Sequence, residues 1–175
     1  QRKAVADLDA MTTMLDETLA FARDDSGGEA RQEVDLAALV RSLCDDLADA
    51  GQPVHYLGPD RLRFSCRPVA LGRALANLID NAITYGGAAE VSLYAEQGGV
   101  VLTVEDRGPG IPPEARERVF APFFRLEPSR SRDTGGAGLG LAVARTVVHR
   151  HGGEIALQDR PGGGLSVRIT LPDSS

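Results

Sequence analysis

The sequence predicts an α/β two-layer sandwich, in which a mixed and mostly antiparallel sheet is covered by helices on one face and preceded by one long helix. Three observations support this fold class. The chain has 175 residues, of which 42% are hydrophobic, and this is enough for one core. Apolar residues recur at spacings of three and four in several segments, as in amphipathic helices. Short apolar runs come in pairs joined by glycine-rich turns, which is typical of antiparallel strands.

Composition and charge exclude several classes of protein. The 25 acidic and 19 basic residues give a net charge of −6, which argues against a nucleic-acid binder, since such a protein usually carries a basic face. No run approaches the ~18 apolar residues of a membrane helix, and no segment resembles a signal peptide. Cys44 and Cys66 lack the spacing of a zinc site, and we expect reduced core residues rather than a disulfide.

The beginning of the chain is expected to form a helix followed by a linker. Apolar side chains recur at helical spacing over residues 5–22: Val5, Leu8, Met11, Leu15, Leu19 and Ala22. No capping signal precedes this pattern, so we expect the helix to start earlier in a longer protein. Its apolar stripe packs either on the same domain or, with equal support, on a partner helix. Residues 24–33 are polar with a glycine pair, which indicates a linker.

Helices and strands are expected along the rest of the chain. The sequence predicts helices over 36–50, 69–85 and 139–151, the first capped by Asp35 and the second with Pro68 near its start. It predicts strands at 53–57 and 62–66, on either side of a turn at 58–60. Two hairpins are expected, 90–96 with 100–105 and 154–158 with 165–171. The stretch 106–136 is too long for an ordinary connection and is typical of a functional lid.

Two amides share one face of the second helix. Asn77 and Asn81 are four residues apart, so their side chains lie one above the other. Uncharged oxygen ligands suit a Mg²⁺ ion that keeps several waters and takes its other ligands from phosphate. For the pair alone, a solvated polar face is the better explanation, so the pair by itself does not establish a metal site.

An acidic turn follows the first hairpin. Asp106 stands at the end of a strand, and Gly108 and Gly110 come after it. The carboxylate is an acceptor that can read the exocyclic amine of adenine, and the glycines leave the neighbouring backbone open. An ordinary Asp-x-Gly turn is the alternative.

A glycine-rich segment, TGGAGLGL, leads into the third helix. Backbone N–H groups at such a helix start form an anion site, although a tight connection explains the glycines too. The segment is neither a Walker A loop nor a dinucleotide fingerprint. Three of the five phenylalanines and three arginines lie before it: Phe120, Phe123, Phe124, Arg125, Arg130 and Arg132. Aromatic anchors with arginines that reach phosphate oxygens fit a nucleotide lid.

The order and spacing of these elements resemble a known family. NLIDNAITYG is similar to an N box, DRGPG to a first glycine box, FAPFFR to an F box and GGAGLGL to a second glycine box. Together they resemble the catalytic ATP-binding domain of sensor histidine kinases, in particular the osmosensor type. These domains belong to the gyrase, Hsp90, histidine kinase and MutL ATPase superfamily. The resemblance implies a Bergerat-type ATP-binding fold.

The resemblance also implies a domain organisation. It covers about residues 34–172, which would be the catalytic ATP-binding domain. The opening helix, LDAMTTMLDETLAFAR, resembles the second helix of the dimerisation and phosphotransfer hairpin. Residues 1–24 would therefore be part of that helix, and residues 25–33 a linker.

Residue roles follow from the resemblance, position by position. Asn81 would be the main Mg²⁺ ligand with Asn77 beside it, and Asp106 would bind the adenine amine. The other implied ATP-binding residues line the base, wrap the phosphates or belong to the lid: Tyr85, Gly108, Gly110, Ile111, Arg125, Arg130, Gly136, Gly138, Leu139 and Gly140.

The sequence departs from the family pattern at two places. The family often has a basic residue before the N-box tyrosine, where this chain has Thr84; we expect a lid arginine to take over that phosphate contact. The phosphoacceptor motif, His-Asp/Glu-Leu followed by a basic residue and Thr/Ser-Pro, does not occur. His149 and His151 are expected at the C-terminal end of a helix, where a histidine interacts favourably with the helix dipole, and His55 in a strand. None of the three is expected to accept phosphate.

The implied function is transfer of the γ-phosphoryl group of MgATP to a histidine on a hairpin helix absent from this sequence, so we do not expect self-phosphorylation. The implied partners are that hairpin, a response regulator and, in the full-length protein, a second copy. The implied location is cytoplasmic, with the parent protein in the bacterial inner membrane. The alternatives are an anti-sigma-factor serine kinase of the same superfamily, which the opening helix argues against, and a nucleotide-binding module without kinase activity. A gyrase- or MutL-like hydrolase is disfavoured because no counterpart of its catalytic glutamate occurs near the N box.

Overall fold

A computed structural model gives the structure of the chain at residues 11, 12, 15, 16, 18, 19, 22, 28–126 and 138–173. Its strands are β1 Gln32–Asp35, β2 Val54–Leu57, β3 Arg63–Cys66, β4 Ala89–Glu96, β5 Gly99–Glu105, β6 Glu154–Asp159 and β7 Leu165–Pro172. Its helices are α1 Leu36–Asp49, α2 Pro68–Gly86 and α3 Gly140–Arg150.

One five-stranded sheet organises the domain, in the order β2-β4-β5-β7-β6. Strand β2 runs parallel to β4, and the other neighbours are antiparallel. The two predicted hairpins are present as β4 with β5 and β6 with β7. The predicted mixed and mostly antiparallel sheet is therefore confirmed.

The core lies between this sheet and the helices. The central strands bury large apolar residues in this core, such as Leu93 on β4 and its cross-strand partner Leu102 on β5. Helices α2 and α3 bury Leu75 and Val147 in the same core. The next residue along β4, Tyr94, is exposed on the opposite face of the sheet. This arrangement confirms the predicted two-layer sandwich.

Asp35 caps α1 as predicted. Its Oδ1 accepts hydrogen bonds from the N–H groups of Ala38, at 3.2 Å, and Leu62, at 3.1 Å. The bond from Leu62, followed by that from Ala38, stabilises the carboxylate and lowers the pKa of Asp35. The same side chain therefore joins the start of α1 to the chain before β3.

A small second sheet differs from the prediction. Strand β1 pairs antiparallel with β3, so residues 32 and 33 lie in a strand although the sequence predicts a linker over 25–33. The sequence of β1, QEVD, has one apolar residue and carries no alternation. The predicted strands at 53–57 and 62–66 both form, but as β2 and β3 they belong to different sheets.

The predicted lid stretch, 106–136, contains more structure than expected. Two 3-10 helices span Pro113–Ala115 and Arg118–Phe120. Val119 and Phe120 are buried in the core, so this part is packed against the domain. Residues 127–137 lie outside the described residues.

The described positions between residues 11 and 22 are helical. Met11, Leu15 and Leu19 are 52–63% exposed, so this part of the apolar stripe does not pack on the domain. In the parts of the chain that the structure describes, no helix combines the length and apolarity needed to cross a membrane. Cys44 and Cys66 are free and buried as predicted, and burial raises the pKa of each thiol to about 11.

Candidate functional site

A cavity of about 520 Å³ opens between α2, the start of α3 and the loop after β5. This volume is within the range of small-molecule sites. Its inner wall is apolar and includes Leu78, Val104 and Val167. Polar side chains line the rest: Asn77, Asp80, Asn81, Thr84, Tyr85, Asp106 and Arg125.

Asp106 is a buried carboxylate of this cavity. It follows β5 and is only 7% exposed. Its N–H donates to the Leu165 carbonyl at 3.0 Å, and its Oδ1 accepts from the Gly108 N–H at 2.7 Å. Burial raises the pKa of Asp106, and the bond from Gly108 partly opposes that rise. The Leu165 N–H also lies close enough to the carboxylate to lower its pKa, and the carboxylate keeps acceptor capacity for a ligand.

Gly108 allows the Asp106 loop to approach α2 closely. A Cβ at this position would lie 2.6 Å from the Tyr85 carbonyl oxygen and 3.0 Å from Asp106 Oδ1. A side chain would therefore push the loop away from the helix. Gly108 supports the position of Asp106 from behind the cavity wall.

One face of α2 forms the polar wall of the cavity. Asn77, Asp80, Asn81, Thr84 and Tyr85 follow the spacing of neighbours on a helix surface. The amides of both asparagines are only partly buried, and no hydrogen bond among the described residues engages them. Asp80 and Thr84 line the cavity, although neither was predicted from the sequence to do so. Their helical spacing from Asn77 was the signal that could have found them.

The start of α3 faces this polar wall. A Cβ at Gly140 would lie 3.5 Å from Asn77 Cβ and 3.7 Å from Asn81 Nδ2. The residue before the helix, Leu139, provides no side-chain cap. No side chain among the described residues caps the first N–H groups of α3, which lie at the positive end of the helix dipole. An anionic group is the ligand that such a helix start favours.

A hydrogen bond joins the chain on the two sides of residues 127–137. The Phe123 N–H donates to the Gly138 carbonyl at 3.0 Å. Phe123 has φ of +65°, which is uncommon for a bulky residue, and Gly138 has φ of +78°. A Cβ at Gly138 would lie 3.1 Å from the Phe123 carbonyl carbon, so the close approach needs glycine. Arg125 and Gly138 both line the cavity, so this contact lies next to its wall.

The structure brings most of the predicted site residues to this one cavity: Asn77, Asn81, Tyr85, Asp106, Gly110, Ile111, Arg125, Gly138 and Gly140. Gly108 and Leu139 lie behind the lining. Arg130 and Gly136 lie outside the described residues. Phe124 and Leu126 also line the cavity and were not predicted to do so.

A protein-family match and two similar proteins indicate the family of this chain. Residues 66–175 match the family described as histidine kinase-, DNA gyrase B-, and HSP90-like ATPases. The sensor histidine kinase GtrS of Pseudomonas aeruginosa is 38% identical over 172 residues, which are 98% of this chain and 35% of that protein. The sensor histidine kinase CpxA of Escherichia coli is 43% identical over 106 residues, which are 60% of this chain and 23% of CpxA.

Solved structures share the fold. The mycobacterial sensor histidine kinase MprB aligns with a TM-score of 0.69 and 29% identity, over 82% of this chain and 98% of that one. The histidine kinase domain of the E. coli osmosensor EnvZ aligns with a TM-score of 0.64 and 34% identity, over 82% and 89% of the two chains. Full-length ShkA in complex with AMPPNP aligns with a TM-score of 0.77 and 27% identity, over 100% of this chain and 39% of that one.

The chain therefore belongs to the family of histidine kinase-, DNA gyrase B-, and HSP90-like ATPases. Within this family it is the ATP-binding catalytic domain of a sensor histidine kinase, because its relatives and its fold both point to that type. The resemblance found in the sequence is confirmed. The chain spans 35% of the length of GtrS and 23% of that of CpxA.

Proposed function

We propose that the cavity binds ATP together with Mg²⁺, and that the complete protein transfers the γ-phosphoryl group to a histidine on a preceding hairpin helix. One observation carries this proposal. A single cavity has the buried carboxylate of Asp106 on one side and, on the other, the start of α3, which faces Asn77 and Asn81 and has no side-chain cap from Leu139. We call these the adenine end (Asp106, Gly108, Gly110 and Ile111) and the phosphate end (Asn77, Asn81 and the first turn of α3).

The adenine end suits an adenine base. The exocyclic amine of adenine is a donor, and the buried Asp106 carboxylate that lines the cavity is an acceptor for it. Guanine carries a carbonyl oxygen at the corresponding position, which a carboxylate repels. Gly110 has φ of +71° and turns the chain beside this carboxylate, and Ile111 and Val104 offer apolar contact to the ring. The site is therefore proposed to select adenine over guanine.

The donor set at the phosphate end fits Mg²⁺. Within the described part of the chain, no group of three or more His, Cys, Asp or Glu residues is placed to hold a metal ion. Asn77 and Asn81 offer neutral amide oxygens, which suit an ion that retains water and binds phosphate oxygens. When bound, Mg²⁺ neutralises charge on the triphosphate. We propose Asn81 as its main protein ligand, with Asn77 beside it.

The triphosphate is proposed to lie against the start of α3. The backbone N–H groups at the start of α3, next to Gly138 and Gly140, form the end of the helix that favours anions. Arg125 lines the same cavity and is proposed to contact a phosphate oxygen. By the family resemblance, Arg130 and Gly136 would extend this contact.

The phosphoryl acceptor is proposed to come from outside the cavity. No histidine is among the described residues that line it. The imidazole nitrogen of the acceptor supplies the electron pair of the new N–P bond. The bond between the γ-phosphorus and the oxygen that bridges to the β-phosphorus breaks, and its electrons leave with ADP. The cavity residues contribute by positioning the nucleotide and by stabilising its charge.

The proposed partners follow from this reaction. The exposed Met11, Leu15 and Leu19 form an apolar stripe suited to the other helix of the hairpin and to a second copy of the protein. A response regulator would receive the phosphoryl group. The net charge of −6 gives no support for a nucleic-acid partner. Since the relatives are sensor kinases, we propose that the domain works on the cytoplasmic side of a membrane-anchored parent protein.

Incubation with γ-labelled ATP tests the reaction. The chain is mixed with a separately supplied acceptor hairpin, or kept alone, and the label is followed after acid treatment. We expect acid-labile label on the hairpin only, and slower labelling at limiting ATP when Asp106→Asn replaces the wild-type chain. Acid-stable label on a supplied protein would indicate a serine kinase. Acid-labile label on the chain alone would contradict the proposal that the acceptor is external.

A further inference from the structure

The residues just before β1 are fixed to the domain by polar contacts, although their sequence predicts a linker. The Glu29 carboxylate accepts hydrogen bonds from the N–H groups of Val69 and Ala70, each at 2.9 Å. Both donors lie in the first turn of α2, 40 and 41 residues further along the chain. A side chain from the predicted linker therefore contacts the start of the helix that carries Asn77 and Asn81.

The two N–H groups that Glu29 binds are those that the helix itself leaves without an acceptor. Pro68, at the start of α2, has no N–H. The Leu71 N–H donates to the Arg67 carbonyl at 2.9 Å, and the Arg67 side chain provides no cap. A carboxylate is favoured at such a helix start because it satisfies the N–H groups and complements the dipole. Glu29 is thus the N-terminal cap of α2, supplied from a distant part of the sequence.

Two arginines tie the same segment to the end of α3. The Arg31 guanidinium donates to the His151 carbonyl at 2.9 Å. The Arg67 guanidinium donates to the carbonyls of Glu29, at 2.9 Å, and Arg150, at 3.0 Å. The Arg67 N–H donates to Nε2 of His151, which is 1% exposed. We call Glu29 and Arg31, together with their hydrogen bonds to the start of α2 and the end of α3, the strap.

The strap and the phosphate end lie at opposite ends of one helix pair. The start of α2 meets the end of α3 at Arg67 and His151. Further along α2, Asn77 and Asn81 face Gly140 at the start of α3. Both helices are packed into the same core between these points. Because packed helices move as units, we expect a change at the strap to alter the separation of Asn81 from the start of α3.

We infer that the strap is a positioning element that couples the chain before β1 to binding of the Mg²⁺–nucleotide complex at the phosphate end. This inference rests on the proposed function. Glu29 and Arg31 do not line the cavity, so they act through α2 and α3. With the strap in place, the helix pair holds Asn77, Asn81 and the N–H groups of α3 in the arrangement that binds the nucleotide. The coupling is reciprocal, so bound MgADP holds the strap in place.

Calorimetry with the full chain tests the forward direction. Glu29→Ala should weaken MgADP binding about fivefold, the factor that corresponds to loss of a typical helix cap. Adenosine engages the adenine end alone, so its affinity in a competition assay should not change. Glu29→Gln keeps an acceptor oxygen and should fall between wild type and Glu29→Ala. Glu33→Ala is the matched control, because the Glu33–Arg63 ion pair is exposed on both sides and contributes little.

Hydrogen exchange tests the reverse direction. MgADP should slow amide exchange at residues 28–31 of the wild-type chain, and Asn81→Ala should remove most of that slowing. Equal MgADP affinity in wild type, Glu29→Ala and Glu29→Gln would overturn the coupling, even if Glu29→Ala lowers the melting temperature. Equal weakening of adenosine and MgADP would overturn it too, since it would indicate general loss of structure. If the wild-type chain does not bind MgADP, the proposed function fails first, and the coupling with it.

Discussion

The two ends of the cavity are built in different ways. At the adenine end, one buried carboxylate is held by backbone bonds involving its sequence neighbour Gly108 and the adjacent strand residue Leu165. At the phosphate end, Asn77, Asn81 and the N–H groups of α3 come from two helices, and no described residue engages the amides. A buried and fixed group contributes much through one contact, whereas half-exposed groups share their contribution with water. Single substitutions should therefore weaken binding more at the adenine end.

Asp106→Asn should have the largest effect. The amide cannot present a charged acceptor to the adenine amine, and a hydrogen bond to a charged group contributes about 2 kcal/mol. We expect ADP affinity to fall roughly 30-fold by calorimetry, and the preference for ADP over GDP to narrow. Thermal stability should not fall, because burial already disfavours the charged form of Asp106, as its raised pKa indicates.

Glu105→Gln is the control for that experiment. Glu105 precedes Asp106 but forms an ion pair with Arg160 and does not line the cavity. Its ADP affinity should match wild type. Equal ADP affinity in Asp106→Asn and Glu105→Gln would show that Asp106 does not bind the adenine base.

Asn81→Ala should have a smaller and metal-dependent effect. Because phosphate and water supply most ligands of Mg²⁺, loss of one amide oxygen should cost about 1.4 kcal/mol, or roughly tenfold in MgADP affinity. In the presence of EDTA, Asn81→Ala and the wild-type chain should bind ADP with the same affinity. The measurement is calorimetry at a series of Mg²⁺ concentrations.

Asn77→Ala sharpens the test at the same end. It removes the neighbouring amide on the same face of α2 and should weaken MgADP less than Asn81→Ala does. A loss in Asn81→Ala that is equal with and without Mg²⁺ would show that the residue supports the helix rather than the metal ion.

The turn at Asp106 could be predicted from the sequence because its geometry is local, whereas its role in adenine binding stays a prediction. Asp106 and Gly108 are two residues apart, and the bond between them needs no information from elsewhere in the chain. The polar wall of α2 was predictable in the same way, since a helix places Asn77 and Asn81 on one face. Asp80 and Thr84 follow the same spacing and could have been included.

The strap and the small sheet could not be predicted, because their partners are distant in the sequence. Glu29 binds N–H groups 40 and 41 residues away, and its own segment is polar and without periodicity. Strand β1 has only Val34 to mark it, and it pairs with β3 on the far side of α1 and β2. Pairing of this kind depends on tertiary structure rather than on local pattern.

The pH dependence of stability should distinguish the strap, at the far end of the helix pair, from the adenine end. In His151 the Nδ1–H donates to the Val147 carbonyl at 2.7 Å, and Nε2 accepts from Arg67. Burial lowers the pKa of His151, and the charges of Arg31 and Arg67 lower it further. The unfolded chain therefore takes up a proton at His151 before the folded chain does. The free energy of unfolding should fall as the pH drops below the ordinary histidine pKa of 6.5.

The expected change is small but has a definite sign. For one histidine that stays neutral in the folded state, linkage gives at most about 0.7 kcal/mol between pH 7 and pH 6, measured by urea unfolding. Burial raises the pKa of Asp106, so the contribution of Asp106 to the pH dependence of the free energy of unfolding has the opposite sign. That contribution occurs at more acidic pH, near the ordinary carboxyl range. The slope above pH 6 should persist in Asp106→Asn and in the exposed-histidine variant His55→Gln. It should flatten in His151→Gln, where an amide oxygen can still accept from Arg67 without titrating. An unchanged slope in His151→Gln would assign the pH dependence to other groups and leave His151 without a titrating role at the strap.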